Sequence, residues 1–108
     1  INNIKFIRAK KGDTFYGIAK EFEMGMWQIY KYNDLKNGDI LKEDDIIFLQ
    51  PKRNRSRIRY HIVKSGDDLN TISQQHGVKL KRISRLNKLK SDSNLIIGSK
   101  IYLKKFVQ

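Results

Sequence analysis

An ungapped internal repeat governs what this chain can fold into. Residues 4 to 50 align with 58 to 104 without insertion or deletion, so that Gly12-Asp13 falls on Gly66-Asp67. Identical pairs run the whole length: Ile4/Ile58, Lys10/Lys64, Ile18/Ile72, Ile29/Ile83, Asn33/Asn87, Leu35/Leu89, Leu41/Leu95, Ile47/Ile101 and Leu49/Leu103. Phe6/Tyr60, Phe15/Leu69, Met26/Leu80 and Phe48/Tyr102 preserve apolar bulk. Self-similarity at one fixed offset, with apolar positions kept, means one small structural unit used twice. Each copy, at roughly 45 to 50 residues, is near the lower size at which a core holds a fold unaided. The chain has no cysteine, so neither a disulfide nor a thiolate metal site adds support. Each core must therefore be compact and regular.

The local patterns define that unit. Apolar residues at 4, 6 and 7 make a short strand with one buried face. Gly12 then supplies a permissive turn, and Asp13 or Thr14 offers an oxygen to the free amides that open a helix. Phe15, Ile18, Ala19 and Phe22 fall at helical spacing, which predicts a helix over about 14 to 22. Gly25 interrupts, and a second helix presents Met26, Ile29, Tyr30 and Asn33 on one face. Asn33 stands where that helix ends, a place for a residue that tolerates left-handed backbone. A polar loop over 34 to 45 leads to the strand Ile46-Ile47-Phe48-Leu49. In the second copy the strands fall at about 59 to 63 and 100 to 104, and the helices at about 68 to 75 and 79 to 87. The fold class is α+β: two consecutive βααβ units, each a two-stranded antiparallel sheet with two helices packed on one face. The boundaries expected are 1–50 for the first repeat, 51–58 for a basic linker and 59–108 for the second repeat.

Charge separates the two copies. The formal net charge is +12. Residues 1 to 50 carry 8 basic and 8 acidic side chains, residues 51 to 59 carry 5 basic and no acidic ones, and residues 60 to 108 carry 10 basic against 3 acidic. A chain built only to coat nucleic acid has little reason to leave one of two equivalent units neutral. The excess points to an anionic surface near the second unit or simply to a solvated, soluble face. The stripe Lys81, Arg82, Arg85 and Lys88 on the second copy's second helix reads as a solvated face, or joins Arg53, Arg55, Arg57 and Arg59 in a larger patch. No apolar run approaches the ~20 residues that span a bilayer.

Gly66-Asp67 followed by Leu69, Ile72-Ser73, Asn87, Leu95-Ile96-Ile97-Gly98 and Ile101-Tyr102-Leu103 resembles the LysM domain, a βααβ module. Gly12-Asp13-Thr14-Phe15, Ile18-Ala19, Asn33, Leu41 and Ile46 to Pro51 match the same pattern in the first copy. The resemblance covers nearly the whole chain. It implies binding of glycans that contain N-acetylglucosamine, most of all peptidoglycan, in a groove between the Gly-Asp turn and the loop after the second helix. The implied glycan-binding residues are Gly12, Asp13, Thr14, Phe15, Ile40, Leu41 and Lys42 in the first copy. In the second they are Gly66, Asp67, Asp68, Leu69, Leu95, Ile96 and Ile97. Paired repeats of this kind are similar to the C-terminal tail of bacterial glucosaminidases that cut peptidoglycan, which implies a wall-targeting module in the cell envelope, periplasmic or secreted, beside an upstream hydrolase. Two departures stand out. Asp68 occupies a position where the family has Thr or Ser, and Asp44 stands where the second copy has Gly98, so the first loop must avoid a positive φ or accept strain.

The remaining residues support no reaction. Glycoside hydrolysis needs two carboxylates about 5 to 9 Å apart across a cleft, and the carboxylates here are scattered through loops and outward helix positions. No cofactor or metal is expected: His61 aligns with Ile7 and His76 with Phe22, and both histidines read as ordinary. Asn33 and Asn87 read as structural, Asp13 and Asp67 as caps or sugar contacts, and Trp27, aligned with Lys81, as a packing or partner contact or a sugar-stacking ring. A monomer with a peptidoglycan partner is the leading expectation. The alternatives are a protein-interaction or assembly module with decayed grooves, or a basic nucleic-acid-binding module that lacks a specific reading motif.

Overall fold

The computed structural model describes residues 1–105. Its elements run β1 (Phe6–Arg8), α1 (Phe15–Glu21), α2 (Met26–Tyr32), β2 (Ile46–Phe48), β3 (Tyr60–Ile62), α3 (Leu69–His76), α4 (Leu80–Leu86) and β4 (Lys100–Tyr102). The chain divides into two compact units between Lys52 and Arg53. Each is βααβ with an antiparallel two-stranded sheet, as the repeat requires. The strands are shorter than the sequence implies, three residues each. Cross-strand bonds nevertheless continue past them, with Leu49 N–H donating to the Lys5 carbonyl at 2.9 Å and Leu103 N–H to the Arg59 carbonyl at 2.8 Å.

Register is the same in both sheets. Ile7 pairs with Ile47, and His61 with Ile101. These residues face the helices, where Phe15, Ile18, Ala19, Ile29 and Ile47 close the first core and Leu69, Ile72, Val78, Ile83, Ile101 and Leu103 the second. The aromatic pairs Phe6–Phe48 and Tyr60–Tyr102 meet across the strands at 6.2 and 6.1 Å between ring centroids.

Asn33 and Asn87 tie helix to strand. The Asn33 amide donates to the Ile29 carbonyl at 2.8 Å and the Phe48 carbonyl at 3.0 Å, while its oxygen accepts from Phe48 N–H at 2.7 Å. Asn87 repeats all three bonds with Ile83 and Tyr102. The side chain thus pairs with β2 or β4 as a third strand would, which satisfies backbone groups that three-residue strands leave open. The left-handed residue expected at Asn33 lies one position later: Asn33 has φ −114°, and the positive values belong to Asp34 (52°) and, in the second unit, Lys88 (54°).

The basic joint is not loose chain. Lys52 is buried in the first unit with Nζ 2.6 Å from the Asp34 carboxylate, and burial, partly offset by that carboxylate, lowers its pKa. Arg53 N–H donates to the Gly77 carbonyl, Lys79 N–H donates to the Arg53 carbonyl, and Ser56 N–H donates to the Leu103 carbonyl, which binds 53–56 into the second unit.

Candidate functional site

In each unit two loops meet at the mouth of the sheet. Ala9 N–H donates to the Asp45 carbonyl at 2.9 Å, and Asp44 N–H donates to the Ala9 carbonyl at 2.7 Å. Val63 makes the matching pair, accepting from Gly98 at 2.8 Å and donating to Ser99 at 2.9 Å. The Gly-Asp turn and the loop before the last strand are therefore neighbours fixed at their base, the juxtaposition that the predicted groove requires. Gly12 and Gly66 have φ of 88° and 87°, and a Cβ at either would meet nothing within 4 Å. Both turns are open to solvent on that side, and the left-handed backbone is what selects glycine.

The acidic residues of the turns have separate tasks. Asp13 accepts from Lys10 N–H at 2.7 Å and Asp67 from Lys64 N–H at 2.8 Å, so each closes its own turn. The helix caps are their neighbours: Thr14 Oγ1 accepts from Gly17 N–H at 2.9 Å, and Asp68 Oδ1 from Thr71 N–H at 2.7 Å. The Asp68 departure thus keeps the cap, and Thr71 reciprocates by accepting from Asp68 N–H.

Four of the residues implied by resemblance belong to the core. Phe15 and Leu69 are buried, and Leu41 and Leu95 are half-buried against the helices. They help set the position of the loops, because the first turn of α1 or α3 and the loop before the last strand each drop an apolar anchor toward a small core. Gly12, Thr14, Ile40, Lys42, Gly66, Asp68, Ile96 and Ile97 are exposed, and Asp13 and Asp67 are partly exposed.

The two loop walls differ in chemistry. Lys42-Glu43-Asp44-Asp45 of the first repeat corresponds to Ile96-Ile97-Gly98-Ser99 of the second. Ile96 and Ile97 are 76% and 68% exposed, two adjacent large apolar side chains left in water, against the single exposed Ile40 (78%) before the corresponding loop of the first repeat. Asp44 takes the positive φ that Gly98 takes, 71° against 90°, so the first loop accepts the strain and keeps its shape. A cavity of about 360 Å³ includes Ile96 itself in its lining, with Leu89, Leu95, Lys100 and Tyr102, and takes in neither Gly66 nor Asp67.

The histidines are not ordinary. His61 Nε2 lies 2.7 Å from Asp67 Oδ2, and His61 Nδ1 lies 2.9 Å from His76 Nε2. A carboxylate only accepts, so His61 Nε2 carries the proton; in neutral His61 the Nδ1 then accepts from His76 Nε2–H. Burial and the neighbouring His61 lower the His76 pKa, with Asp67 opposing them. For Asp67, desolvation pushes the pKa up but is outweighed by the bonds from His61 and Lys64, and the net shift is downward. Among the described residues, no set of three or more histidine, aspartate or glutamate side chains is arranged to hold a metal ion. The visible signal was a coupled one: two apolar positions of the first repeat, Ile7 and Phe22, both become imidazoles in the second.

Trp27 is 65% exposed, and its ring lies over Gly25, where a Cβ would come within 2.7 Å of two ring atoms. Its contact is thus local packing on the backbone that opens α2.

The LysM domain pattern matches residues 7–49 and 61–104, one match per unit and together most of the chain. The chain belongs to the LysM domain family. A LysM pair is a binding module, not an enzyme. Among curated relatives, the probable peptidoglycan endopeptidase LytE of Bacillus subtilis is 30% identical over 105 residues, covering 91% of this chain and 31% of that protein. An autolysin of Enterococcus faecalis is 29% identical over 93 residues, covering 78% of this chain and 12% of the other. The cell wall-binding protein YocH of Bacillus subtilis is 25% identical over 100 residues, covering 93% and 34%. This LysM pair spans about a third or less of each relative. The spore cortex-lytic enzyme SleL of Bacillus cereus aligns structurally over 96% of this chain and 23% of its own, at 27% identity and a TM-score of 0.41. Among the described residues no helix is long and apolar enough to cross a membrane.

Proposed function

We propose that this chain binds peptidoglycan or another polymer containing N-acetylglucosamine, non-catalytically, and that its second repeat holds the stronger groove. The observation that carries the proposal is the pair Ile96 and Ile97, exposed on a loop bonded at its base to the strand that leads into the open Gly66–Asp67 turn. An N-acetyl sugar presents a methyl group, a planar amide and hydroxyls. Exposed isoleucines suit the first, and the free backbone groups of a glycine turn suit the others. The first repeat offers Lys42 and Glu43 in their place, which stay hydrated, and keeps one exposed isoleucine, Ile40, two positions earlier.

LysM membership and the names of the relatives, a peptidoglycan endopeptidase, an autolysin and a cell wall-binding protein, support a wall ligand. Two grooves on one chain gain by avidity on a repeating glycan, since the second contact is made at high local concentration. The module then acts in the cell envelope as a monomeric anchor for a domain outside this chain, a wall hydrolase by analogy with the relatives.

Sedimentation with insoluble peptidoglycan across a salt series, with soluble N-acetylglucosamine oligomers as competitor, tests the ligand. Attraction between exposed charges is screened beyond about 8 Å at physiological salt, whereas a desolvated groove is less affected. Binding that survives high salt and yields to the oligomer is expected. Binding that disappears with salt and ignores the oligomer contradicts the proposal.

A further inference from the structure

The second unit holds a cavity that the grooves do not explain. About 220 Å³ in volume, it is lined by Asn54, Arg55, Arg59, Arg82, Lys104 and Lys105. Five cations converge there from the joint, from the residue before β3, from α4 and from the segment after β4, with no carboxylate in the lining among the described residues. Arg82 Nε is shielded from solvent and has no hydrogen-bond partner among the described residues. A buried guanidinium N–H without an acceptor loses its hydration with no return, and like charges around one space repel. The equivalent of Arg82 in the first repeat is Gln28, whose side-chain oxygen accepts from Gly25 N–H at 2.8 Å and stays within its own helix start. The basic cavity is therefore a feature added to the second copy and not a consequence of the shared fold.

We propose that this cavity is an oxyanion site that takes a phosphoryl group, with Arg82 at its floor and Arg55, Arg59 and Lys105 at its exposed rim. A carboxylate has two oxygens in one plane and suits a single guanidinium fork. Donors arriving from four separate segments suit a tetrahedral group with oxygens on several sides. Among the described residues the lining contains no aromatic ring on which a base could stack, which favours a phosphodiester chain without bases over a nucleic acid. The site shares no residue with the glycan grooves, so it stands or falls apart from them.

The test uses the full chain and inorganic phosphate at constant ionic strength, with chloride as the balancing ion and the side-chain Nε–H resonances of the arginines as the readout. The Arg82 resonance is expected to shift and saturate. Arg82→Gln should weaken phosphate binding by about tenfold or more, and Lys105→Gln by a smaller factor. Lys81→Gln removes the same charge from α4 outside the cavity and should change affinity by less than about twofold. A polyol phosphodiester chain binding more tightly than the free ion would assign the site to a polymer, and equal affinity would assign it to the free ion. Equal losses in Arg82→Gln and Lys81→Gln, a shift that never saturates, or tighter binding of single-stranded DNA unaffected by Arg82→Gln would overturn the site.

Discussion

The two units have one backbone and two chemistries. Where the first places Ile7 and Phe22, the second places His61 and His76 and draws Asp67 into a part-buried polar chain. Where the first loop carries Lys42, Glu43 and Asp44, the second carries Ile96, Ile97 and Gly98. The conserved features are those a 50-residue core cannot lose: the asparagine that pairs with the last strand, the left-handed turns and the inward apolar residues. The variable features are those the shared fold does not need, and they are where the two units differ in charge, exposed apolar surface and titratable groups. A duplicated fold thus separates structural demand from functional choice without any second sequence.

The largest effect should come from the shared feature. Asn33→Ala removes three hydrogen bonds at a buried position and leaves the Phe48 backbone unpaired, which should cost about 3 kcal/mol in denaturant unfolding. Asn87→Ala removes the same set at a position closer to solvent, where water can replace part of it, and should cost about 2 kcal/mol or less. Equal costs would mean that the two units rely on their asparagines equally despite the difference in burial.

Next is the response to acid, which only the second unit should show in the mildly acidic range. The folded-state pKa of His76 lies below its ordinary 6.5, so the unfolded chain binds more protons in that window. Stability from this source is complete above pH 6.5 and is lost as pH falls toward the folded value. Asp67, also lowered, adds stability that is complete above its ordinary 3.8 and is lost as pH falls through the folded value. The double substitution His61→Ile and His76→Phe restores the residues of the first unit and should flatten the first of these losses. Thermal unfolding followed from pH 7.5 to 5 checks it; a slope unchanged by the substitutions would place the acid response elsewhere.

The smallest effect concerns the loop before the last strand. Asp44→Gly should stabilise by a few tenths to about 1 kcal/mol by relieving a positive φ on a residue with a Cβ, and Gly98→Asp should destabilise by a similar amount. A cost for both changes would show that the Asp44 side chain contributes something the loop depends on.

How much of this was legible depends on how local each feature is. The βααβ units followed from periodicity, because the apolar set that makes each core lies at fixed spacings within the chain. The structural role of Asn33 and Asn87 was also readable, although the left-handed backbone fell on Asp34 and Lys88. Phe15 and Leu69 came with the turns through the family resemblance, and the structure buries both in the cores while Gly12 and Gly66 stay exposed. The histidine chain was not legible from either residue alone. His61 and His76 are fifteen positions apart and meet only when β3 lies under α3. The basic cavity was half visible as a stripe and a cluster; which cations converge depended on the path of residues 53–56 along the second unit.

The most direct test of the comparison is a titration of the full chain with soluble N-acetylglucosamine oligomers, followed by backbone amide resonances in both repeats at once. The account predicts that Gly66, Asp67, Ile96 and Ile97 shift and saturate at lower oligomer concentration than Gly12, Asp13, Lys42 and Glu43. Saturation of the first-repeat set at equal or lower concentration would contradict the claim that the exposed isoleucines strengthen the second groove beyond what the shared backbone turn provides.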